Sequence, residues 1–365
     1  MRFAFTEQQI QFRDAVRQVL DKECTPDDLR AAFDTPAVRS GRWATLAEMG
    51  VVGLTVPEAH GGLGLHLLDL VPLLEEAGRA ALPEPLIETT ALAAPLLSGF
   101  PSERVAGWLE GMAEGRLTAA VGPVDGSGSA VAPTQGRPTV PSANGADLFI
   151  LPAAADPDGR ASELHAVPVA DVTVTPVASL DPTRRLGTVD WEPSPATLIA
   201  SGPEARAALG DLANRASVAT GAELLGLTDR MITMAAAYAK ERNQFGKPIG
   251  SFQAVKHLLA GAQVKLEFAR PAVYAAAWSL DDEELGRSPD GSRRASLAKA
   301  YASDAAAEAA RVSLQVHGAI GYTWECDLHL YLKRAWALAE SWGSAGDHRR
   351  RILSTLVEEV RRTQS

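Results

Sequence analysis

Apolar residues recur every three or four positions along the first third of the chain. In the first such segment they stand at positions 10, 12, 16, 19 and 20, a spacing that predicts an amphipathic helix. Thr6 and Gln9 form the capping-box pattern that marks a helix start. The helical pattern continues to about Gly115 and breaks most sharply at residues 61–64. We therefore predict an N-terminal helical domain over residues 1–116.

The spacing of apolar residues changes between residues 117 and 197. Short apolar runs bounded by Pro, Gly and Asp replace the helical pattern there. Runs of this length with such boundaries are typical of strands. The segment is therefore predicted to be a small β-domain, with strands over residues 118–121, 148–151, 164–169, 172–177 and 186–191.

A helical pattern returns after Ser201-Gly202-Pro203 and continues to Arg361. Alanine is dense in this part, and small side chains let helices approach closely in a bundle. Residues 281–294 are the one polar stretch with Pro, Gly and Ser, and they are predicted to be a loop. The fold class predicted is mainly α with a middle β-domain, ending in a helical bundle over residues 198–365.

Composition narrows the range of functions. The chain has 365 residues, a net charge of −10 and a pI near 5.3, which argues against nucleic acid or an anionic membrane as the main partner. We expect no signal peptide, because Thr6-Glu7-Gln8-Gln9 follows the first five residues in place of a long apolar run. We also expect no membrane span, because no stretch of about 18 apolar residues occurs. Cys24 and Cys326 lack metal-type spacing, which suits a reduced cytoplasmic setting.

Residues 242–253, Arg-Asn-Gln-Phe-Gly-Lys-Pro-Ile-Gly-Ser-Phe-Gln, separate two helical patterns. Arg242 offers a forked set of donors for phosphate oxygens, and Phe245 offers a face for stacking. Alone, such a segment is an ordinary turn between helices, with a surface charge and an apolar plug. Two further segments change its interpretation.

Residues 57–64 read Pro-Glu-Ala-His-Gly-Gly-Leu-Gly, and residues 315–322 read Gln-Val-His-Gly-Ala-Ile-Gly-Tyr. In this order and spacing, the three segments resemble the acyl-CoA dehydrogenase family of flavoproteins over nearly the whole chain. The resemblance implies an N-terminal helical domain, a small β-barrel or sandwich and a C-terminal four-helix bundle. It also implies an acyl-CoA substrate and an FAD that lies at a dimer interface.

The resemblance also implies which residues contact the cofactor. In the family, the corner segment and the segment near the C-terminus reach the FAD of the neighbouring subunit. His317 alone would more often be a hydrogen-bonded structural histidine, since no triad or metal cluster surrounds it, and we expect no metal. The matching residues are Arg242, Phe245, Gln253, Gln315, Val316, His317, Gly318 and Ala319.

The β-domain departs from the family pattern. The family's Thr-Glu-Pro followed by Gly-Ser is matched by residues 121–127, where Val121 replaces the Thr whose hydroxyl would bond the flavin ring, and Ser127 remains as a weak substrate contact. On the next strand, Thr139 and Pro141 stand where the family has Trp and Thr, and proline donates no N–H. The wall that holds the flavin ring is therefore predicted to be missing.

The catalytic carboxylate of the family is also missing. The resemblance implies a Glu directly before Gly-Thr as the base, and here Trp342 holds that position. A minority of members place the Glu where this chain has Asn214. Glu340 is the nearest acid, but two helical positions turn it about 200° away. We therefore predict no catalytic residue in this chain.

The departures from the family pattern affect only one set of contacts. The residues that match contacts to the neighbouring subunit's FAD are present, whereas those that match contacts to the chain's own flavin and substrate are replaced. The resemblance then implies the base-less subunit of an α2β2 acyl-CoA dehydrogenase, of the kind seen in actinobacterial steroid and acyl-chain catabolism. A related catalytic subunit would supply the Glu, and an electron-transfer flavoprotein or similar acceptor would take the electrons. Three alternatives stay open: a self-sufficient dehydrogenase using Glu340, a structural paralogue without flavin, and a flavin monooxygenase or oxidase.

Overall fold

The computed structural model describes residues 4–35, 40–123, 139–155 and 161–364. Helices come first along the chain, two small sheets follow, and long helices complete it. This order confirms the predicted fold class, mainly α with a middle β-domain.

The N-terminal part is built from short helices whose starts the sequence specifies. Thr6 caps the first helix and Thr25 the second, each through a capping box, which pairs two otherwise unbonded N–H groups. A π-helical segment at Ile87–Ala93 leads directly into the fifth helix. The helices are α1 (Glu7–Glu23), α2 (Pro26–Asp34), α3 (Gly41–Glu48), α4 (Leu67–Arg79), α5 (Ala94–Ser98) and α6 (Glu103–Ala113).

The middle part is a sandwich of two sheets. One sheet has the strand order β1-β3-β4-β7 and the other β2-β6-β5. Phe149, Val167 and Val189 lie in the small core that the two sheets share. The strands are β1 (Ala119–Val121), β2 (Thr139–Val140), β3 (Leu148–Ala155), β4 (Ala161–Pro168), β5 (Thr173–Pro176), β6 (Gly187–Asp190) and β7 (Leu198–Ser201).

The C-terminal part is a bundle of long helices around α10. A two-stranded hairpin joins α7 to α8, and the bundle also packs on the N-terminal part through α4. Its elements are α7 (Gly202–Glu241), β8 (Asn243–Gln244), β9 (Lys247–Pro248), α8 (Gln253–Asp281), α9 (Glu283–Gly286), α10 (Pro289–His317), α11 (Leu328–Glu340) and α12 (Ala345–Gln364).

Two glycines allow α4 and α7 to touch along their backbones. A Cβ on Gly78 would lie 2.0 Å from Glu223 O, and one on Gly226 would lie 1.8 Å from Glu75 O. No larger side chain fits such distances without moving a backbone. The N-terminal helices and the bundle therefore share one continuous apolar core.

The loop predicted over residues 281–294 is wrong in extent. α8 runs to Asp281, α9 occupies Glu283–Gly286, and α10 already begins at Pro289. Proline is favoured in the first turn of a helix, and Ser288 Oγ accepts a hydrogen bond from Gly291 N at 3.2 Å. The polar residues of this stretch therefore serve mainly to cap helices and do not form one long loop.

Strand β7 lies just past the predicted end of the β-domain. It pairs with β4, with Ser201 opposite Glu163. The division into residues 1–116, 117–197 and 198–365 remains our proposal for the domains, and β7 is the element at its second boundary.

Candidate functional site: an exposed corner of the bundle

The hairpin between α7 and α8 holds an aromatic ring out from the chain. Phe245 has φ +54° and Gly246 has φ +78°, as a tight hairpin turn of the primed type requires. A bulky residue at positive φ is an outlier that usually has a reason. The ring of Phe245 is 92% exposed, and Phe252 meets it edge-on at 6.0 Å.

A ring stack brings the second predicted segment next to this hairpin. His317, the last residue of α10, stacks on Tyr238 with ring centroids 4.6 Å apart and planes 19° from parallel. Tyr238 lies in the last turns of α7, and its carbonyl accepts from Arg242 N at 2.9 Å. The two segments, far apart in sequence, therefore meet at one corner of the bundle.

His317 itself is a structural residue. Its Nδ1 donates to Ser313 O at 2.8 Å, and the side chain is buried. Burial lowers the pKa of His317, because a buried imidazole resists charging. A neutral, stacked imidazole fixes the end of α10 without offering a charge to a ligand.

The backbone that follows His317 faces open space. Gly318 ends α10 with φ +64° and ψ −140°, a conformation that glycine adopts readily. A Cβ built on Gly318 would meet no atom within 4 Å. Beside it, Ala319 is exposed, whereas Val316 packs into the core and can offer a ligand little beyond its backbone.

Three polar side chains at the predicted positions are free. Arg242, Gln253 and Gln315 are all exposed, and none makes a side-chain hydrogen bond or ion pair within the part of the chain that the structure describes. Guanidinium and amide groups without internal partners can bind a diphosphate or an adenosine edge. The corner residues therefore fit a dinucleotide cofactor.

The predicted flavin-ring wall is described only in part. Val121 is fully buried at the end of β1, opposite Ile150 of β3. Thr139 is exposed, and Pro141 is buried beside it. Ser127 lies outside the described residues. The absence of a ring-binding wall therefore remains a prediction.

The turn at the predicted base position is a tightly held, apolar element. Trp342 is 8% exposed and has φ +59°, and Gly343 follows with φ +97°. His348 Nε2 donates to Trp342 O at 2.9 Å. Lys299 Nζ donates to Gly343 O at 3.0 Å and to Ala339 O at 2.8 Å.

The sequence interpretation missed the two groups that hold this turn. Burial lowers the pKa of Lys299 to about 7 and that of His348 to about 4. Lys299 stands among alanines at a core position of α10, and a lone lysine on an apolar helical face could have indicated a buried role.

The other two candidate base positions hold no available buried carboxylate. Asn214 is buried, and both ends of its amide are used: Nδ2 donates to Ser292 Oγ at 3.1 Å, and Oδ1 accepts from Arg351 Nη2 at 2.7 Å. Glu340 is exposed at the end of α11.

A buried cluster of charges, also missed from the sequence, joins the three parts of the chain. Arg334 of α11 lies 3.4 Å from Asp181 of the β-domain and 3.5 Å from Glu223 of α7. Arg184 lies 4.0 Å from Glu88 of the N-terminal part. Burial raises the pKa of Glu223 to about 7, against the opposing charge of Arg334. These contacts fix the β-domain against the helices.

Neither a metal-ligand cluster nor a membrane-spanning helix occurs within the described ranges. There, no group of three or more His, Cys, Asp or Glu side chains has the arrangement to hold a metal ion. In those same ranges, no helix combines the length and apolar character needed to cross a bilayer.

A helical domain, a small two-sheet sandwich and a helical bundle with an exposed Arg- and Phe-bearing corner define a helical-bundle flavoprotein dehydrogenase fold. Residues 6–116 match the acyl-CoA dehydrogenase N-terminal domain, and residues 207–356 match the acyl-CoA dehydrogenase C-terminal domain. The chain belongs to the acyl-CoA dehydrogenase family.

Individual relatives are similar to this chain over nearly its full length. Acyl-CoA dehydrogenase IpdE2 of Mycolicibacterium smegmatis is 33% identical over 352 residues, covering 95% of this chain and 98% of the relative. The ChsE4-ChsE5 complex from Mycobacterium tuberculosis contains a chain with 26% identity and a TM-score of 0.83, covering 98% of this chain and 99% of that one. The Tcur3481-Tcur3483 steroid ACAD contains a chain with 28% identity and a TM-score of 0.83, with 97% and 99% covered.

Proposed function

We propose that this chain is the base-less subunit of an FAD-dependent acyl-CoA dehydrogenase. It completes the FAD site of a related catalytic subunit in an α2β2 assembly. The reaction is α,β-dehydrogenation of an acyl-CoA thioester. Electrons then pass to an electron-transfer flavoprotein or a similar acceptor.

The observation that carries the proposal is the free, exposed corner. The side chains of Arg242, Gln253 and Gln315 are exposed and make no hydrogen bond or ion pair within the described part of the chain. The ring of Phe245 is almost fully exposed and touches Phe252 edge-on. A cation and an aromatic ring presented in this way suit a ligand held largely by another chain. When bound, FAD supplies the hydride acceptor of the reaction. Arg242 would hold its diphosphate, and the exposed ring of Phe245 would contact its adenosine.

The candidate base positions support the assignment of the base to the partner. A general base must reach the substrate proton with an unpaired carboxylate or equivalent group. Trp342 is buried and apolar, Asn214 is fully hydrogen bonded, and Glu340 faces solvent. One similar solved structure is a complex of two differently named proteins, and a second carries two joined protein names, which favours a heteromeric assembly here.

Glu340→Gln tests whether the partner subunit supplies the general base. In the assembled complex, we expect turnover of an acyl-CoA ester to stay within about threefold of wild type, because loss of a true general base costs about 10²-fold or more. Glu48→Gln, which removes an exposed carboxylate in α3, is the matched control. A drop of about 100-fold in the Glu340 variant alone, with flavin content intact, would show that this chain supplies the base.

A further inference from the structure

One side of α8 presents to solvent a row of side chains that contains no Asp, Glu, Lys or Arg. Its members recur every three or four residues, so they share one face of the helix. From position 257 to position 278 the row extends about 32 Å, at a rise of about 1.5 Å per residue. We call it the α8 stripe, and its members are His257, Ala260, Gly261, Val264, Phe268, Pro271, Ala275 and Trp278.

The large apolar members of the α8 stripe are strongly exposed. Phe268 is 72% exposed, Val264 53% and Trp278 36%. Other residues of the same helix, such as Leu266 and Val273, already lie in the core of the chain. A helix that is apolar on more than one face is typically buried on more than one face. A contiguous exposed apolar surface of this kind marks an interaction site.

The charged residues beside the α8 stripe are paired within the chain. Lys265 lies 3.7 Å from Glu308 of α10, and Glu267 lies 2.6 Å from Arg270. They therefore do not require an oppositely charged partner. The chain as a whole has a net charge of −10, so two copies repel each other at long range. A stripe without charged members is a surface at which two such copies can meet with little local repulsion.

Bulk is distributed unevenly along the α8 stripe. Its first half contains the small residues Ala260 and Gly261, and a Cβ built on Gly261 would meet no atom within 4 Å. Its second half contains Phe268 and Trp278. If two copies of α8 run antiparallel and cross at Val264, the bulky half of each stripe lies on the slim half of the other. A parallel arrangement would set the bulky halves against each other.

A two-fold axis generates this antiparallel arrangement. In an isologous contact both copies use the same surface, and a residue on the axis meets its own counterpart. Val264 lies near the middle of the α8 stripe and takes that position. Phe268 of each copy then lies close to Gly261 of the other, which fills the open space beside the glycine. This fit of large on small side chains favours a second copy of the chain as the occupant.

We propose that two copies of this chain associate through the α8 stripe, about a two-fold axis at Val264. The inference rests on the proposed function in one respect, which is that an α2β2 assembly contains two copies of this chain. The exposed corner at the beginning of α8 serves the catalytic subunit, and the α8 stripe joins the two copies. One helix therefore provides a residue to each of two different interfaces.

The first test measures the mass of the isolated chain by light scattering. We expect wild type to be a dimer of 38.5 kDa chains. Val264→Glu should be a monomer, a twofold fall in mass, because the axis places two carboxylates side by side in an apolar contact. Val169→Glu is the matched control, since Val169 is 48% exposed but lies in the β-domain. It should leave the dimer intact.

Mixing the Val264→Glu and Val264→Lys proteins should restore the dimer, because opposite charges then meet at the axis. A variant that had merely lost its fold would not recover in this way. A monomeric wild-type chain, a dimeric Val264→Glu protein or a mixture that stays monomeric would each overturn the proposal.

The second test uses the complex with the catalytic subunit. There, Val264→Glu should halve the mass of the complex and leave FAD per chain unchanged. If the variant instead loses the catalytic subunit together with FAD, the α8 stripe contacts that subunit and the proposal is wrong. A wild-type complex without FAD would contradict the proposed function, whereas the dimer of the isolated chain would still stand.

Discussion

Arg242 is an exposed charged residue whose side chain has no hydrogen-bond or ion-pair partner in the described part of the chain. Surface arginines usually find a carboxylate, as Arg349 finds Asp304 and Arg311 finds Glu308. Arg242 finds none in the described chain, although the protein carries an excess of acidic residues. A guanidinium kept free beside an exposed aromatic ring is available to a phosphate.

Arg242→Ala should therefore lower FAD retention by the assembled complex without unfolding the subunit. Truncating a charge-assisted contact to a diphosphate costs about 2–4 kcal/mol, which is a loss of affinity of about 30-fold or more. The measurement is flavin content per complex after dialysis. Lys240→Ala, which removes an exposed charge from the same end of α7, is the control. Equal flavin content in the Arg242 variant and wild type would remove Arg242 from the site.

His348 gives the Trp342 turn a pH dependence. Burial lowers the pKa of His348 to about 4, against about 6.5 in an unfolded chain. Lys299, Arg351 and Asp347 are the charged groups that act on it. Between these two pKa values, the unfolded chain binds a proton that the folded chain does not. Stability is therefore fully present above about pH 6.5 and is lost as pH falls towards about 4.

His348→Gln should remove this dependence. As the pH is lowered from about 6.5 towards about 4, we expect the free energy of unfolding of wild type to decrease relative to that of the variant. The decrease should reach up to about 1.4 kcal/mol per pH unit. Urea titrations of both proteins at several pH values measure it. A difference that stays constant with pH would show that His348 titrates normally in the folded protein.

At the scale of elements, the β8–β9 hairpin has a turn whose backbone conformation does not depend on the exposed aromatic ring that it carries. Its turn needs positive φ at Phe245 and Gly246, whereas the ring of Phe245 is almost fully exposed and stabilises little within the chain. Asparagine tolerates positive φ better than other residues with side chains. The turn can therefore be kept while the ring is removed.

Phe245→Asn should leave the thermal stability of the isolated chain within about 1 kcal/mol of wild type, as for most surface substitutions. It should nevertheless reduce flavin content in the complex. Phe245→Tyr, which keeps an aromatic face, should retain flavin. Equal flavin content in the Asn and Tyr variants would show that the ring does not contact the cofactor.

The elements that the sequence predicted best are those with local determinants. α1 is set by its apolar period and by the capping box at Thr6, and five apolar runs became strands β1, β3, β4, β5 and β6. The apolar runs did not predict β2, which spans only two residues, or β7, which leads directly into α7. Their pairing with β6 and β4 depends on contacts distant in sequence.

At the scale of the whole molecule, the buried charges around Arg334 join the N-terminal helices, the sandwich and the bundle. Arg334 is 6% exposed, and its acidic neighbours Asp181 and Glu223 are more deeply buried still. Removing one partner of such a cluster leaves uncompensated buried charge, which costs about 3–5 kcal/mol.

Arg334→Met should destabilise the protein by about that amount in urea unfolding. Adding Glu223→Gln should recover part of the loss, because the second change removes one of the stranded charges. If the double variant is less stable than Arg334→Met by the full cost of Glu223→Gln alone, the two residues are not coupled.

The sequence predicted those residues of the candidate site that lie in contiguous motifs. Arg242 and Phe245 are recognisable beside the hairpin glycine, and Gly318 beside His317. Other contacts depend on how the helices pack. They are the Tyr238–His317 stack that joins these motifs and the hydrogen bonds from Lys299 and His348 to the Trp342 turn. No period or local spacing encodes such contacts.

The flavin stoichiometry of the purified chain, alone and in complex, tests the central claim most directly. The chain is purified by itself and after co-expression with a paralogous acyl-CoA dehydrogenase that carries Glu directly before Gly-Thr. FAD per chain is then measured from the absorbance of each sample. We expect a colourless chain alone and a yellow complex that contains both proteins. Stoichiometric FAD in the isolated chain, or a stable complex of the two proteins without FAD, would contradict the account.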